Sequence, residues 1–315
     1  LRGKGGWATV TAIKSSGYPQ QKSWRYMQNL RYEAPESLAD ATALLAGESG
    51  MTRILAGGTD VIVQMHSDLI EPDLIVDVKN IPELTEIKKE GGAYRFGAVL
   101  SGKTLMLHED FNKTWPGVMD GVRLIGSLQV RGRASVGGNL CNASPAADSV
   151  PPLIAAGAVA SVVGPDGERD IPVEDIVTGP GQTCLEKGEI VVSFLLPKRP
   201  PNSGDAYLRF TPRTEMDIAV VGAGVNLTLD DDGICVAARV ALGAVAPTQL
   251  LVADAADALI GTKVDEVAMS ALAAAASAAC NPIDDKRGTI EYRTKVAGVL
   301  AQRAAAIALQ RAQES

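Results

Sequence analysis

The stretch that most restricts what this chain can become is residues 134–152, ASVGGNLCNASPAADSVPP. Two adjacent glycines, a run of small residues, two asparagines, one aspartate and three prolines leave the backbone almost bare. Bare backbone is needed where something must approach main-chain N–H groups closely. A second glycine pair stands in AGGTD, residues 56–60. Each pair follows an apolar or strand-like segment, and each brings a hydroxyl, Thr59 or Ser135. On neighbouring strands two such loops can clamp a pyrophosphate with little positive charge, while Asp148 accepts from ribose hydroxyls. Either pair alone reads as an ordinary turn. Together they predict a dinucleotide, and a Cβ at Gly57, Gly58, Gly137 or Gly138 is expected to cost ligand affinity without unfolding the chain.

The rest of the composition removes other function classes. The formal charge is −7, with 30 basic and 37 acidic residues, and aromatics are 4%. Neither a basic stripe nor a stacking platform for nucleic acid is present. The four cysteines, Cys141, Cys184, Cys235 and Cys280, are far apart with no C-x-x-C. That argues against zinc, iron–sulfur and disulfide frameworks in this chain. Two histidines, His66 and His108, offer no metal-binding pattern. No apolar run has the length of a membrane span. Residues 1–26 are basic and Gly/Ser-rich without an apolar h-region, so they read as an appended leader rather than a signal peptide. The folded core is expected to start near Met27, and the default location is the cytoplasm.

Periodicity gives a mixed α+β chain. A helix is expected over 35–47 with Ser37 as N-cap, then a strand at 53–56, a helical VIVQM and a buried strand at 74–78. Hairpins are expected over 85–99, turning at Gly91–Gly92, and over 158–172. Residues 104–128 read as helical with Pro116 opening a second segment, 189–197 as a strand, and 198–205 as a linker. Three strand-like runs and three Ala-rich helices follow, the alanines reading as close-packed core. The domains are therefore placed at 27–200 and 205–313.

Two motifs mislead. GAVLSGKT, from Gly97 to Thr104, fits the phosphate loop G-x-x-x-x-G-K-S/T, with Lys103 reaching phosphates and Thr104 holding Mg²⁺. Its interior, Ala98–Val99–Leu100, is bulky where N–H groups should curl inward, so a strand end and helix start is the better reading. VGAGVNL, residues 221–227, starts like G-x-G-x-x-G but continues as an alternating strand.

Five segments stand in a familiar order: ILAGGTDVIVQM, VRGRASVGGNLCNASPAADSVPPLIAAGA, GPGQTCLEKGEIVVSFLLP, FTPRTEMDIAVVGAGV and LGAVAPTQLLVADAADALIG. Over roughly residues 27–312 the chain resembles the FAD-binding medium subunit of bacterial molybdenum hydroxylases, the group of xanthine dehydrogenase and aerobic carbon monoxide dehydrogenase. The resemblance implies a vanillyl-alcohol-oxidase (PCMH)-type FAD-binding domain of two subdomains. A C-terminal domain with a three-stranded antiparallel sheet and a helical bundle follows. It assigns the pyrophosphate to Ala56, Gly57, Gly58, Thr59 and Asp60, and to Ser135, Val136, Gly137, Gly138 and Asn139, with Asp148 at the ribose. Near the flavin ring it places Ile125, a strand residue around Val192, and Arg209, while Arg213 and Asp217 match a nearby loop.

The resemblance further implies that this chain holds FAD non-covalently and no metal of its own. Molybdenum cofactor and two 2Fe–2S clusters are expected on a large and a small partner subunit, in a dimer of heterotrimers. No residue here is expected to act as acid or base on the organic substrate. Cys141 reads as a small buried residue.

Overall fold

A computed structural model describes residues 30–213 and 216–315, so the expected leader, residues 1–26, lies outside the described residues. The chain begins with β1 (Arg31–Glu33), a helix (Leu38–Gly47), β2 (Thr52–Leu55), a short helix (Val61–His66) and β3 (Leu74–Asp77). The three strands form a parallel sheet ordered β1-β3-β2. The middle strand, LIVD, is buried along its whole length, as a parallel strand covered on both faces must be. Ser37 starts the first helix as its sequence suggests, its hydroxyl accepting from the Asp40 N–H at 3.1 Å.

The second subdomain is a five-stranded antiparallel sheet. β4 (Ile87–Glu90) and β5 (Ala93–Gly97) form the expected hairpin, with Gly91 and Gly92 at φ +59° and +95°. β6 (Val159–Gly164) and β7 (Gly167–Pro172) form the next hairpin. A small ribbon of β8 (Val177–Gly179) and β9 (Gln182–Thr183) leads to β10 (Ile190–Leu196), which completes the order β4-β5-β10-β6-β7. Tyr94 and Phe96 both meet Phe111 edge-on, at ring-centroid distances of 5.4 and 5.6 Å, beneath this sheet.

Residues 104–128 hold more breaks than their pattern suggests. They fold into the helices Gly102–Leu107, Glu109–Thr114 and Pro116–Val122, followed by a turn. Pro116 opens a helix as expected. The unforeseen break is at His108, whose Nδ1 accepts from the Phe111 N–H at 3.2 Å and so caps a new helix.

The C-terminal domain contains the three expected strands, β11 (Ser203–Phe210), β12 (Val221–Leu229) and β13 (Cys235–Gly243), and a two-residue β14 (Leu250–Leu251) extends their sheet by one. Three helices cover it: Ala253–Asp257, Glu266–Ala278 and Ile290–Gln313. Ala297, Ala301, Ala304 and Ala308 of the last helix are fully buried. The contact is so close that a Cβ on Gly204 of β11 would stand 1.8 Å from the Ala308 carbonyl oxygen.

The segment read as a linker is anchored rather than free. Arg199 Nη1 bonds Asp205 Oδ1 at 2.6 Å, and Asp205 Oδ2 accepts the Val118 N–H at 3.1 Å. Asp205 thus ties the first C-terminal strand to the helix Pro116–Val122.

Candidate cofactor site

A cleft of about 730 Å³ opens between the two subdomains of the N-terminal domain. That volume lies in the range of small-molecule and cofactor pockets. Both glycine segments line it. Ala56 to Asp60 leave β2 and enter the helix Val61–His66, while Ser135 starts the short helix Val136–Cys141.

The two segments touch each other through backbone. A Cβ on Gly57 would stand 2.0 Å from the Arg133 carbonyl oxygen, and one on Gly137 would stand 2.5 Å from the Ala98 carbonyl oxygen. These two glycines are therefore required by packing, and the expectation that a Cβ there leaves the fold intact fails. The other member of each pair differs. Gly58 has φ +75°, a left-handed conformation that disfavours a side chain. A Cβ on Gly138 would meet only Ser135 Oγ, at 3.1 Å.

Hydrogen bonding separates the segments further. Among the described residues, no acceptor is found for the main-chain N–H groups of Gly57, Gly58 and Thr59. Unpaired N–H groups on a half-buried wall call for an external acceptor. The second segment uses its own donors internally. Gly137 N–H bonds Ala98 O at 2.9 Å, Gly138 N–H bonds Ser135 Oγ at 3.2 Å, and Asn139 N–H bonds Ser135 O at 3.0 Å. Its free donor is a side chain: Asn139 lines the cleft, and its Oδ1 is held from behind by Ser149.

The phosphate-loop reading of Gly97–Thr104 is overturned. Ala98 N–H bonds Val192 O, Val99 N–H bonds Leu84 O, Gly102 N–H bonds Ala134 O, and Thr104 N–H bonds Ser101 Oγ. A phosphate nest needs those donors free. Lys103 is exposed and does not line the cleft. The segment instead supports the second glycine pair from outside.

Of the residues singled out in the sequence, the cleft also includes Ile125, whose carbonyl accepts from Arg131 Nη1 at 3.2 Å. Six others are not on its wall. Val136 is fully buried. Val192 is buried beside the cleft-lining Ile190 and Val191, and its carbonyl supports Ala98. Asp148 and Arg209 form an ion pair at 2.7 Å behind the wall, where the two domains meet. Tyr207 donates to Asp148 at 2.9 Å, and Arg209 Nη1 also reaches Leu124 O at 3.2 Å. Burial outweighs both partners and pushes the Asp148 carboxyl up to about 6. Arg213 pairs with Asp217 at 3.3 Å, away from the cleft.

Several cleft residues were not anticipated. Arg53 and Lys187 line it, so positive charge is available at the site. Asn142 links the two segments, accepting from Gln64 at 3.1 Å and donating to Asp60 at 3.4 Å. Residues 185–191 form a further wall. They lie inside GPGQTCLEKGEIVVSFLLP, and the glycine there was the available signal. Cys141 stands exposed on the cleft rather than buried, although crowding of the sulfur pushes its thiol up to about 12.

Residues 27–199 match the family described as FAD binding domain in molybdopterin dehydrogenase, and residues 206–308 match the CO dehydrogenase flavoprotein C-terminal domain. The chain belongs to the FAD-binding subunits of the molybdenum hydroxylases. These flavoprotein subunits are parts of oxidoreductases. The carbon monoxide dehydrogenase medium chain of Afipia carboxidovorans is 35% identical over 281 residues, covering 89% of this chain and 97% of that one. A putative xanthine dehydrogenase FAD-binding subunit of Escherichia coli is 34% identical over 70% of this chain and 75% of its own length. Among solved structures, quinoline 2-oxidoreductase from Pseudomonas putida superposes with a TM-score of 0.82 at 30% identity, covering 90% of this chain and 98% of that chain.

The cleft fits the FAD that this family binds. Unpartnered N–H groups at Gly57, Gly58 and Thr59 suit phosphate oxygens, and Gly138 keeps the opposite wall free of bulk. Among the described residues no cluster suited to a metal ion is found, and no helix is long and apolar enough to cross a membrane.

Proposed function

We propose that this chain holds one FAD non-covalently in the cleft and acts as the electron-transfer subunit of a cytoplasmic molybdenum hydroxylase. A large subunit then carries the molybdenum cofactor and hydroxylates the organic substrate, and a small subunit carries two 2Fe–2S clusters. FAD held there would supply the redox chemistry that links the clusters to an external acceptor.

The chain's own residues bind, orient and shield. Gly57, Gly58 and Thr59 donate main-chain N–H groups to the pyrophosphate. Arg53 and Lys187 add positive charge along the same cleft. Ile125, Ile190 and Val191 give an apolar wall that excludes water from the ring. The observation that carries this reading is the row of N–H groups with no acceptor among the described residues. Relatives named as medium chains support membership in a multisubunit assembly, for which we favour a dimer of heterotrimers.

Purification from native extract tests the proposal. A yellow complex is expected, releasing its flavin on unfolding, with one larger and one smaller subunit identified by mass spectrometry. A colourless chain, or one that purifies without a cluster-bearing companion, would refute it.

A further inference from the structure

Asn139 lies on the cleft wall with a side-chain amide that has a donor end and an acceptor end. What stands behind it decides which end faces the ligand. Ser149 is fully buried. Its hydroxyl lies 2.7 Å from Asn139 Oδ1, and its main-chain N–H lies 3.3 Å from the same oxygen. A main-chain N–H can only donate, so the atom facing it must be the amide oxygen. Both acceptor positions of that oxygen are then engaged, and no acceptor for the Asn139 Nδ2 group is found among the described residues.

We propose that Ser149 is a positioning residue for cofactor binding: by gripping Oδ1 it turns the Asn139 amino group into the cleft as a fixed hydrogen-bond donor. The group it would serve is an oxygen acceptor of the bound dinucleotide, a phosphate or a sugar hydroxyl. This replaces the main-chain donors that the second glycine segment uses internally at Gly137 and Gly138. The inference rests on the cleft being the FAD site.

The test is a double-mutant cycle on the full chain, purified with whatever subunits accompany it, freed of flavin and titrated with FAD. Ser149→Ala and Asn139→Ala are each expected to weaken binding roughly tenfold, and the double variant to bind no worse than Asn139→Ala alone. Losses that multiply, or a Ser149→Ala chain binding FAD as wild type does, would overturn the proposal. Asn139→Asp supplies an arm independent of Ser149 folding effects. Its carboxylate still accepts from Ser149 but turns an acceptor toward the ligand, so FAD binding should fall by about 100-fold at neutral pH. Binding should recover as the carboxylate is protonated, while thermal unfolding of the flavin-free chain stays unchanged. Wild-type affinity in Asn139→Asp would also overturn it. Failure of the wild-type chain itself to bind FAD would instead reject the cofactor reading.

Discussion

The cleft and the seam between the two domains use the same kinds of groups to opposite ends. At the seam, side chains bond across the boundary, although Glu174 Oε2 and Gln249 Oε1 are left without a partner among the described residues. Arg311 Nη1 reaches Asp120 at 2.8 Å and Asp205 O at 2.7 Å. Arg239 bonds Glu174 at 2.6 Å, and Gln249 donates to Ser144 O at 2.7 Å. In the cleft, three consecutive N–H groups at Gly57, Gly58 and Thr59 have no acceptor among the described residues. A fold normally satisfies its backbone donors. The place where it leaves a row of them open is the place built for something the chain does not itself supply.

Substitutions should respect that border, and the largest effect should come from a residue that stands on it. Gly57 touches the cleft, yet its Cα packs on the Arg133 carbonyl. Gly57→Ala forces backbone against backbone and should cost about 3 kcal/mol or more, read as a collapsed denaturation midpoint even without flavin. A normal midpoint would mean that the two glycine segments do not touch as described.

The seam should yield next. Arg209→Met leaves the Asp148 carboxylate buried without its cation and should cost about 3–5 kcal/mol at pH 8. The loss should shrink in acid, because a protonated Asp148 needs no cation. The same carboxyl predicts the pH dependence. Its folded value, near 6, is raised above the ordinary value of 3.8 by burial. A raised carboxyl stabilises the fold fully below about pH 4, where both states hold the proton. That contribution is lost as pH rises through 6, by about 3 kcal/mol in all. Asp148→Asn removes the titration, so the difference in unfolding free energy between wild type and variant should drift in the variant's favour from pH 4 to pH 7. A flat difference would show that the ion pair, not burial, controls this carboxyl.

How much of this was legible in the sequence follows the same division. The glycine pairs, Ser37 as a cap, the hairpin at Gly91–Gly92 and the alanine-packed last helix all follow local rules, and each stands where those rules put it. What escaped depends on partners distant in the chain. Lys103 fits a phosphate-loop pattern, but whether its loop has free donors is decided by Val192, Leu84 and Ala134. Asp148 was read toward a ribose because its carboxylate is a good acceptor; its bonds at the seam to Tyr207 and Arg209, some 60 positions on, are not legible in any local pattern. Ser149 carried no signal at all, since a buried serine beside an aspartate matches no local rule.

The smallest expected change in stability is the most telling about the cleft. Gly138 has an ordinary backbone conformation inside the helix Val136–Cys141, and an added Cβ meets only Ser135 Oγ. Alanine is a better helix former than glycine by about 1 kcal/mol, so the flavin-free Gly138→Ala chain should be as stable as wild type or slightly more so. Apart from that hydroxyl at 3.1 Å, which has to shift slightly, its methyl meets nothing else of the described chain. If the dinucleotide lies against that surface, FAD affinity should fall about tenfold, a loss near 1.4 kcal/mol, with no cost to folding. Opposite signs for folding and binding at one atom separate a wall shaped for a ligand from one shaped for packing. Unchanged affinity in a stable Gly138→Ala chain would move the cofactor away from the second glycine pair and leave Gly57 to Thr59 as the binding edge.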